Sequence, residues 1–158
     1  MNNQYMLRAI HLAKQSIQDH GGPFGAVIVK DNHIIAEGGN CVTKNNDPTA
    51  HAEIVAIRQA ARKLQNFELK GCVLYTSSEP CPMCLAAIYW AHIEHVYYAN
   101  SHVQASEAGF DDSFIYQELN QPHQEKQLAI EQCLAPEILT SAKEIFQLWL
   151  QNKDKTIY

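Results

Sequence analysis

Residues 74–91 read LYTSSEPCPMCLAAIYWA, and this stretch decides how the rest of the chain is interpreted. Its first residues form a short apolar run that predicts a buried strand. The second half predicts a helix, because Pro80 and Pro82 fall where a helix begins and a missing N–H costs nothing. Cys81 and Cys84 are three residues apart in that helix start, so their sulfurs face the same side. The stretch therefore predicts a strand leading directly into a helix that carries two adjacent thiols.

The elements on either side extend this unit into an α/β arrangement. The pattern predicts a helix at about 4–18, a hairpin around Asp31-Asn32, a polar loop at 39–49, a helix that follows it and a strand at 95–99. The order helix, hairpin, helix, strand, helix, strand favours an α/β sandwich with a mixed sheet. After Asn100 the pattern weakens: 106–119 predicts helical turns, 125–134 could add a strand, and 136–153 predicts a C-terminal helix.

Length, charge and cysteine usage narrow the class of protein. A chain of 158 residues is one domain by default, so residues 1–158 are treated as one. The net charge of -5 argues against nucleic acid as the main partner. The N-terminus lacks the apolar core of a secretory signal, and no apolar run approaches the ~18 residues of a membrane span. Five cysteines without an export signal predict reduced thiols and a cytoplasmic protein.

A tetrahedral zinc site needs ligands beyond the two thiols of residues 81 and 84. Structural zinc sites usually add a second pair of Cys or His, but Cys41, Cys72 and Cys133 stand singly. His51 is the best candidate for a third ligand, because it too stands in the first turn of a predicted helix, after Asp47-Pro48-Thr49. Three protein ligands leave the fourth position to water, which is typical of catalytic zinc.

Glu53 stands two residues after His51 and has the chemistry of a proton carrier. In mid-helix two such residues would point about 200° apart. Side chains of a first turn lean toward the N-terminus, however, so both can reach a point beyond the helix end. An unligated Glu53 could then take a proton from a zinc-bound water and pass it to a substrate. Capped helices with incidental polar residues, and a purely structural zinc, are the alternatives.

The H-A-E motif at 51–53, followed by P-C-P-M-C at 80–84, resembles the pattern of zinc deaminases in the cytidine deaminase superfamily. This resemblance covers about residues 21–100. It implies a three-layer α/β/α sandwich with a central mixed sheet of five strands. It also implies one zinc ion per active site and hydrolytic removal of an amino group from a ring.

A longer resemblance runs nearly end to end and is to the bacterial guanine deaminases of this superfamily. It rests on DPTAHAEIVAIR at 47–58, on the stretch at 74–91 and on EAGFDDSFIYQEL at 107–119. It implies the hydrolysis of guanine to xanthine and ammonia, a step of purine catabolism. It further implies a homodimer in which the C-terminal segment, about 121–158, is exchanged so that one chain's tail closes the other chain's site.

The same resemblance assigns roles residue by residue. His51, Cys81 and Cys84 match the zinc ligands, and Glu53 matches the proton shuttle. The substrate-binding positions are Asn40, Asp112, Tyr158, Phe24, Trp90 and Ala52. Their chemistry suits a purine: the Asp112 carboxylate can accept from a ring N–H, the Asn40 amide can donate and accept, and an aromatic ring can stack on the base.

Other activities share the zinc motif. A tRNA adenosine deaminase would keep the zinc site and differ in its partner, but the acidic balance and the FDDSF stretch count against it. A cytosine or cytidine deaminase is a further alternative. A non-catalytic zinc-binding interaction module would have no use for an unligated Glu53 beside three ligands.

Overall fold

The computed structural model describes residues 2–157, and up to Asn100 the main helices and strands follow one another in the order that the sequence predicts. The helices are α1 (Asn3–Gln18), α2 (Val42–Asn45), α3 (Ala52–Leu64), α4 (Pro82–Trp90), α5 (His102–Glu107), α6 (Ser113–Asn120) and α7 (Pro136–Gln151). The strands are β1 (Gly25–Lys30), β2 (His33–Gly39), β3 (Cys72–Ser78) and β4 (His95–Asn100). The short helix α2 was not predicted; it lies within the stretch that the sequence predicts to be a polar loop.

The hairpin of β1 and β2 turns at Asp31 and Asn32, as predicted. Both residues have left-handed backbone angles, with φ of 49° and 59°. A two-residue hairpin turn with both φ values positive matches the twist of its strands, and Asn and Asp tolerate that conformation better than most residues. The turn chemistry therefore fixes the pairing of the first two strands.

The sheet has the strand order β2-β1-β3-β4. β1 runs antiparallel to both β2 and β3, whereas β3 and β4 are parallel and joined through α4. It follows that β2, β3 and β4 all end at the same edge of the sheet, and that β1 begins there. Every loop at that edge can contribute to one site, as is usual at the carboxyl ends of strands in α/β proteins.

Helices cover both faces of this sheet, because β1 alternates its buried side chains between two clusters. Val27 and Val29 pack with Ala9 of α1 and Tyr75 on one face. On the other face, the second cluster joins small residues of α3 to the sheet and to α4: Ala26, Ile28, Ala52, Ala56, Ala60, Leu74, Ile88 and Ala91. The predicted three-layer sandwich around a mixed sheet is confirmed.

The prediction of a fifth strand is wrong, because within residues 2–157 the sheet has four strands. Residues 125–134, where a further strand could have formed, lack regular strand structure and are almost entirely exposed. A strand requires a neighbouring strand for its backbone groups. Here the N–H of Gln127 donates instead to the Glu118 carboxylate, 2.9 Å away. The local sequence of this stretch was therefore not sufficient to make a strand.

The chain divides into two units, residues up to Ser113 and residues from Phe114 onward. The second unit contains most of α6, a short 3-10 turn at His123–Glu125, and α7. No residue of 114–157 is buried, although α7 carries large apolar side chains such as Phe146 and Trp149. Within the described part of the chain, no helix is long and apolar enough to cross a membrane.

Candidate active site

Two helix starts meet at the sheet edge and supply the metal-binding side chains. α3 begins at Ala52 and α4 at Pro82, so His51 and Cys81 are the N-cap residues of their helices, both with extended backbone. The sequence pattern predicts His51 inside the first turn. It sits one position earlier because Asp47 closes a turn over Thr49, accepting from its N–H at 2.8 Å, before the helix begins. Cys84 lies in the first turn of α4.

The three predicted ligands converge at distances that suit zinc. The Nδ1 atom of His51 lies 3.5 Å from the Cys81 sulfur and 3.6 Å from the Cys84 sulfur. All three ligand atoms are within 4.8 Å of one another. Zn–S bonds of about 2.3 Å and Zn–N bonds of about 2.0 Å would put tetrahedral N and S ligands about 3.5 Å apart. The donor set therefore fits a tetrahedral zinc ion, with one position left over.

The surroundings favour thiolate at this place. A hydrogen bond from the Cys84 thiol lowers the pKa of Cys81 far below its ordinary value, and His51 acts in the same direction. The N-terminus of α4 adds its partial positive charge, which stabilises anions. The pKa of Cys84 is raised because its proton is the one shared with Cys81 and because the site is buried. Zinc coordination displaces such protons, since only the thiolate is a ligand.

Glu53 lies beside the ligands without joining their cluster. One carboxylate oxygen, Oε2, is 3.6 Å from the Cys84 sulfur, and the other, Oε1, accepts a hydrogen bond from the Thr76 hydroxyl at 3.1 Å. Glu53 is only 6% exposed. Burial raises the pKa of this carboxyl, and the negative charge at Cys81 acts in the same direction. A carboxyl whose pKa is raised holds a proton more readily than a free one, which suits a group that carries protons.

Gly38 of β2 allows α3 to approach this closely. A Cβ at Gly38 would lie 2.2 Å from the Ala52 carbonyl oxygen and 2.9 Å from the Ala56 nitrogen. Real Cβ contacts of that length do not occur. The first turn of α3, with His51 before it and Glu53 within it, therefore depends on a missing side chain in the neighbouring strand.

A cavity of about 340 Å³ opens onto the metal-binding side chains. Its size suits a small-molecule ligand. Asn40, which follows β2, lines it and is buried. The Oδ1 atom of Asn40 accepts from the N–H groups of Gly22 and Val42, each at 3.2 Å. Both acceptor positions of Oδ1 are therefore used within the protein, which leaves Nδ2 as the group available to a ligand, and the role of Asn40 toward a substrate stays a prediction.

Two aromatic rings and a carboxylate form another part of the wall. Phe24 lines the cavity as predicted, and Phe110 packs edge-on against it with ring centroids 4.9 Å apart. Asp112 also lines the cavity and is half-buried. Burial raises the pKa of this carboxyl, the negative charge at Cys81 adds to the effect, and His102 opposes it. At neutral pH Asp112 can accept a hydrogen bond from a bound molecule.

The structure adds lining residues that the sequence pattern does not single out. They are Gly22, Val42, Thr43, Ser78, Glu79, His102, Ala105, Phe110 and Asp111. His102 has no neighbours at the spacing of metal ligands, so the sequence alone predicts an ordinary surface histidine. Its position at the end of β4 is the signal that could have found it, because the strand ends gather at one edge.

Two predicted substrate-binding residues, Trp90 and Ala52, are not among the residues that line the cavity. Trp90 is the last residue of α4, so it lies roughly 13.5 Å from Cys81 along the helix axis, at a rise of about 1.5 Å per residue. Its side chain is 65% exposed. The side chain of Ala52 packs in the core, so that only its first-turn N–H is available to a ligand. Tyr158 lies outside the described residues. Roles for these three stay predictions.

Comparison with known proteins agrees with this geometry. Residues 1–100 match the family described as the cytidine and deoxycytidylate deaminase zinc-binding region. The chain belongs to this family. Its match extends over both metal-binding motifs, and zinc is accordingly the metal of the site formed by His51, Cys81 and Cys84.

A relative that matches over its full length shows to which branch of the family the chain belongs. Guanine deaminase of Bacillus subtilis is 51% identical over 160 residues, with each chain covered completely. The X-ray structure of guanine deaminase from the same species matches with a TM-score of 0.93 and covers 100% of this chain and 99% of that one. The chain therefore belongs to the guanine deaminase branch of the family.

More distant members match only part of the chain. The tRNA-specific adenosine deaminase of Aquifex aeolicus is 42% identical over 63% of this chain and 66% of its own length. A structure of guanine deaminase from Nitrosomonas europaea is 32% identical, with a TM-score of 0.64, and covers 68% of this chain and 63% of that one.

Proposed function

We infer that the protein is a zinc-dependent guanine deaminase that hydrolyses guanine to xanthine and ammonia. The observation that carries this function is the buried Glu53 carboxylate, held 3.6 Å from Cys84 beside a three-ligand zinc site. A structural site would use four protein ligands and would gain nothing from the carboxylate. The full-length relative at 51% identity, a guanine deaminase, supports the choice of substrate.

When bound, zinc lowers the pKa of a coordinated water and so supplies the nucleophile. Guanine carries the leaving amino group on C2, so the C–O bond forms there and the C–N bond breaks. Glu53 accepts one proton from the water and delivers it to N3, then moves the second from the new hydroxyl to the departing amine. The products are xanthine, which keeps the N3 proton, and ammonia.

The cavity wall offers guanine complementary polar groups. Asn40 presents an N–H donor, because its oxygen is bonded to Gly22 and Val42. Asp112 presents an acceptor on the same cavity. Guanine has a carbonyl acceptor and ring N–H donors, so it can satisfy both residues. Phe24 and Phe110 supply apolar surface for the flat ring.

We propose that the C-terminal segment, about 121–158, is exchanged within a homodimer. No residue of 114–157 is buried, and Phe146 in α7 is 72% exposed. An amphipathic helix of this kind requires an apolar surface to cover it. Exchange of identical segments between two chains is an inexpensive way to provide one. In this arrangement Tyr158 would close the partner's cavity, as the likeness to guanine deaminases implies.

A complementation experiment tests the exchange directly. Deleting Ile157-Tyr158 should leave zinc content intact and reduce guanine turnover, and Glu53→Gln should abolish turnover by itself. Co-expression of the truncated chain with the Glu53→Gln chain should raise turnover above that of either chain alone, because the tail of the Glu53→Gln chain would close the intact site of the truncated one. Failure to restore activity in a verified mixed dimer would contradict the exchange, as would a monomer by light scattering.

A substrate panel tests the reaction. Zinc-loaded protein should release ammonia from guanine, but not from adenine, cytosine, cytidine, guanosine or tRNA. Turnover of tRNA or cytidine without turnover of guanine would contradict the assignment. We also propose a cytoplasmic location, because Cys81 and Cys84 bind zinc only as reduced thiols. Cell fractionation tests this directly.

A further inference from the structure

Glu79 lines the cavity and connects two parts of the site, but it lies outside the metal-binding cluster of His51, Cys81 and Cys84. It follows β3, and its own N–H donates to the Asn100 carbonyl at the end of β4, 2.8 Å away. Its carboxylate oxygen Oε2 accepts from the N–H of His102 at 3.0 Å and lies 3.2 Å from the His102 Nδ1 atom. One side chain thus ties the turn that leads to Cys81 to the first residue of α5.

α5 and the residues after it form a small folded unit. Ser101 and Gln104 make a reciprocal capping box at its start. At its end, Gly109 has φ of 93°, and the N–H of Phe110 returns to the Ala105 carbonyl at 3.0 Å. The chain is therefore folded back on the helix just before Asp112. The anchor at the start of α5 consequently influences where the Asp112 carboxylate lies.

We propose that Glu79 is a positioning residue that sets the spacing between the zinc ligands and the substrate-recognition residue Asp112. The proposal rests on the function inferred above, in which Asp112 accepts from the bound purine. Glu79 is suited to this task because it is half-buried and its two bonds to His102 involve both backbone and side chain. A carboxylate accepting from a backbone N–H forms a charge-assisted bond, which is stronger than a neutral one.

The interaction with Phe24 provides a second anchor for the same segment. Phe110 packs edge-on against Phe24, which stands just before β1. Loss of the Glu79 contacts should therefore loosen one end of the segment and leave the other in place. We expect weakened substrate binding, not unfolding, when Glu79 is replaced.

The first test compares Glu79→Ala with Glu79→Gln, and Glu68→Ala serves as the matched control. Glu68 is exposed to nearly the same extent as Glu79, is paired with Lys70 and His92, and does not line the cavity. Loss of about 1–2 kcal/mol of hydrogen bonding corresponds to a KM for guanine raised by roughly 5–30-fold in Glu79→Ala. Its kcat should change by less than about threefold, because the zinc and Glu53 are untouched. Glu79→Gln keeps an acceptor oxygen and should recover most of the loss.

Zinc content and KM decide between positioning and a role in the metal site. One zinc per chain in Glu79→Ala, with a raised KM, supports the proposal. Loss of zinc would overturn it, because Glu79 would then be supporting Cys81. An unchanged KM would overturn it too. His102→Asn, which keeps a side-chain donor near the Nδ1 position, should be milder than His102→Leu.

Hydrogen exchange supplies a readout that does not depend on guanine. Amides of residues 102–110 should lose protection in Glu79→Ala, regain it in Glu79→Gln and remain unaffected in Glu68→Ala. Unchanged protection in this segment would overturn the proposal even if guanine turnover is confirmed. A parent protein inactive on guanine would instead count against the proposed function, and the exchange data would still decide whether Glu79 anchors the segment.

Discussion

The hydroxyl of Thr76 donates a hydrogen bond to Oε1 of Glu53 at 3.1 Å, and neither side chain has appreciable access to solvent. Thr76 is on β3 and Glu53 in the first turn of α3, so the bond joins the sheet to the helix at the site. It occupies one carboxylate oxygen and leaves the other, Oε2, directed toward Cys84. The sheet thereby orients the group that carries the protons.

Replacement of Thr76 by valine should slow deamination without releasing zinc. Valine has nearly the same shape, but a buried carboxylate oxygen then loses its donor, at a cost of about 1–3 kcal/mol. We expect kcat for guanine to fall by roughly 10–100-fold, with one zinc per chain by metal analysis. Thr76→Ser restores the hydroxyl and should recover most of the rate. Parental kinetics in Thr76→Val would show that the bond has no part in orienting Glu53.

Glu53→Gln should separate proton transfer from metal binding. Glutamine keeps the size of the side chain and can accept from Thr76, but it cannot carry a proton between water and substrate. General acid–base catalysis contributes about 10²–10⁴-fold, so turnover should fall by at least that factor. Steady-state assays with zinc analysis check this. Near-parental turnover would remove Glu53 from the role assigned to it.

Loss of a ligand should cost both metal and stability. Cys84→Ser removes a buried thiolate from the three-ligand set, whereas Cys133→Ser alters an exposed cysteine outside it. At zinc concentrations 100 times the Kd, bound zinc stabilises the fold by about 2.7 kcal/mol. Cys84→Ser and chelated parent protein should therefore lose activity and melt several degrees lower, and Cys133→Ser should not. Full zinc occupancy in Cys84→Ser would contradict this ligand assignment.

The fixed amide of Asn40 can be tested by changing only its donor. Asn40→Asp keeps an oxygen for the N–H groups of Gly22 and Val42 but replaces the Nδ2 donor with a second acceptor. We expect kcat/KM for guanine to fall by about 10–100-fold, because the new carboxylate oxygen would face the substrate without a donor. Asn45→Asp makes the same change of charge at an exposed position of α2. Equal effects in the two variants would mean that charge, not donor loss, is responsible.

The ion pair between Arg8 and Glu37 should make the free energy of unfolding depend on pH in the acid range. Two 2.7 Å hydrogen bonds join these side chains, and the bond from Arg8 holds the pKa of Glu37 below its ordinary value. A carboxyl with a lowered pKa in the folded state stabilises the fold above its unfolded pKa, about 4.5. That contribution is lost as the pH falls through the lower, folded value.

Glu37→Gln should therefore be less stable than the parent at pH 7, and the difference should vanish in strong acid. Both side chains are about one third exposed, so solvent screening limits the loss to roughly 1 kcal/mol. Urea unfolding of both proteins at equal concentration, at each pH, measures it. Glu131→Gln, at an exposed position, is the control. A stability difference that grows toward acid pH would contradict a lowered pKa of Glu37 in the folded protein.

Much of the site was predictable because its residues are close in the sequence to recognisable helix starts. The prolines near Cys81 and Thr49 mark where helices begin, and the chemistry of His, Cys and Glu limits what can be built from them. The sheet followed from short apolar runs and from the Asp31-Asn32 turn. These are local signals, and they agree with the global fold.

The remaining features depend on contacts between distant parts of the chain. The pairing of Thr76 with Glu53 spans 23 residues, as does that of Glu79 with His102. Nothing in either sequence neighbourhood indicates the partner. The orientation of the Asn40 amide depends on the N–H of Gly22, 18 residues earlier. The prediction of a fifth strand failed for a related reason, because a local stretch of sequence cannot show whether a partner strand is available.

The meeting of three strand ends at one edge has a consequence for how this protein can change. Asn40, Cys81 and His102 each follow a different strand, and the packed interior lies on the two faces of the sheet. Loops that share an edge can be altered one at a time, at little risk to the interior. The base that is accepted could thus be redesigned at residues 40 and 112 while the zinc chemistry is retained. New substrate specificities should be obtainable by mutating the loops at this edge of the sheet.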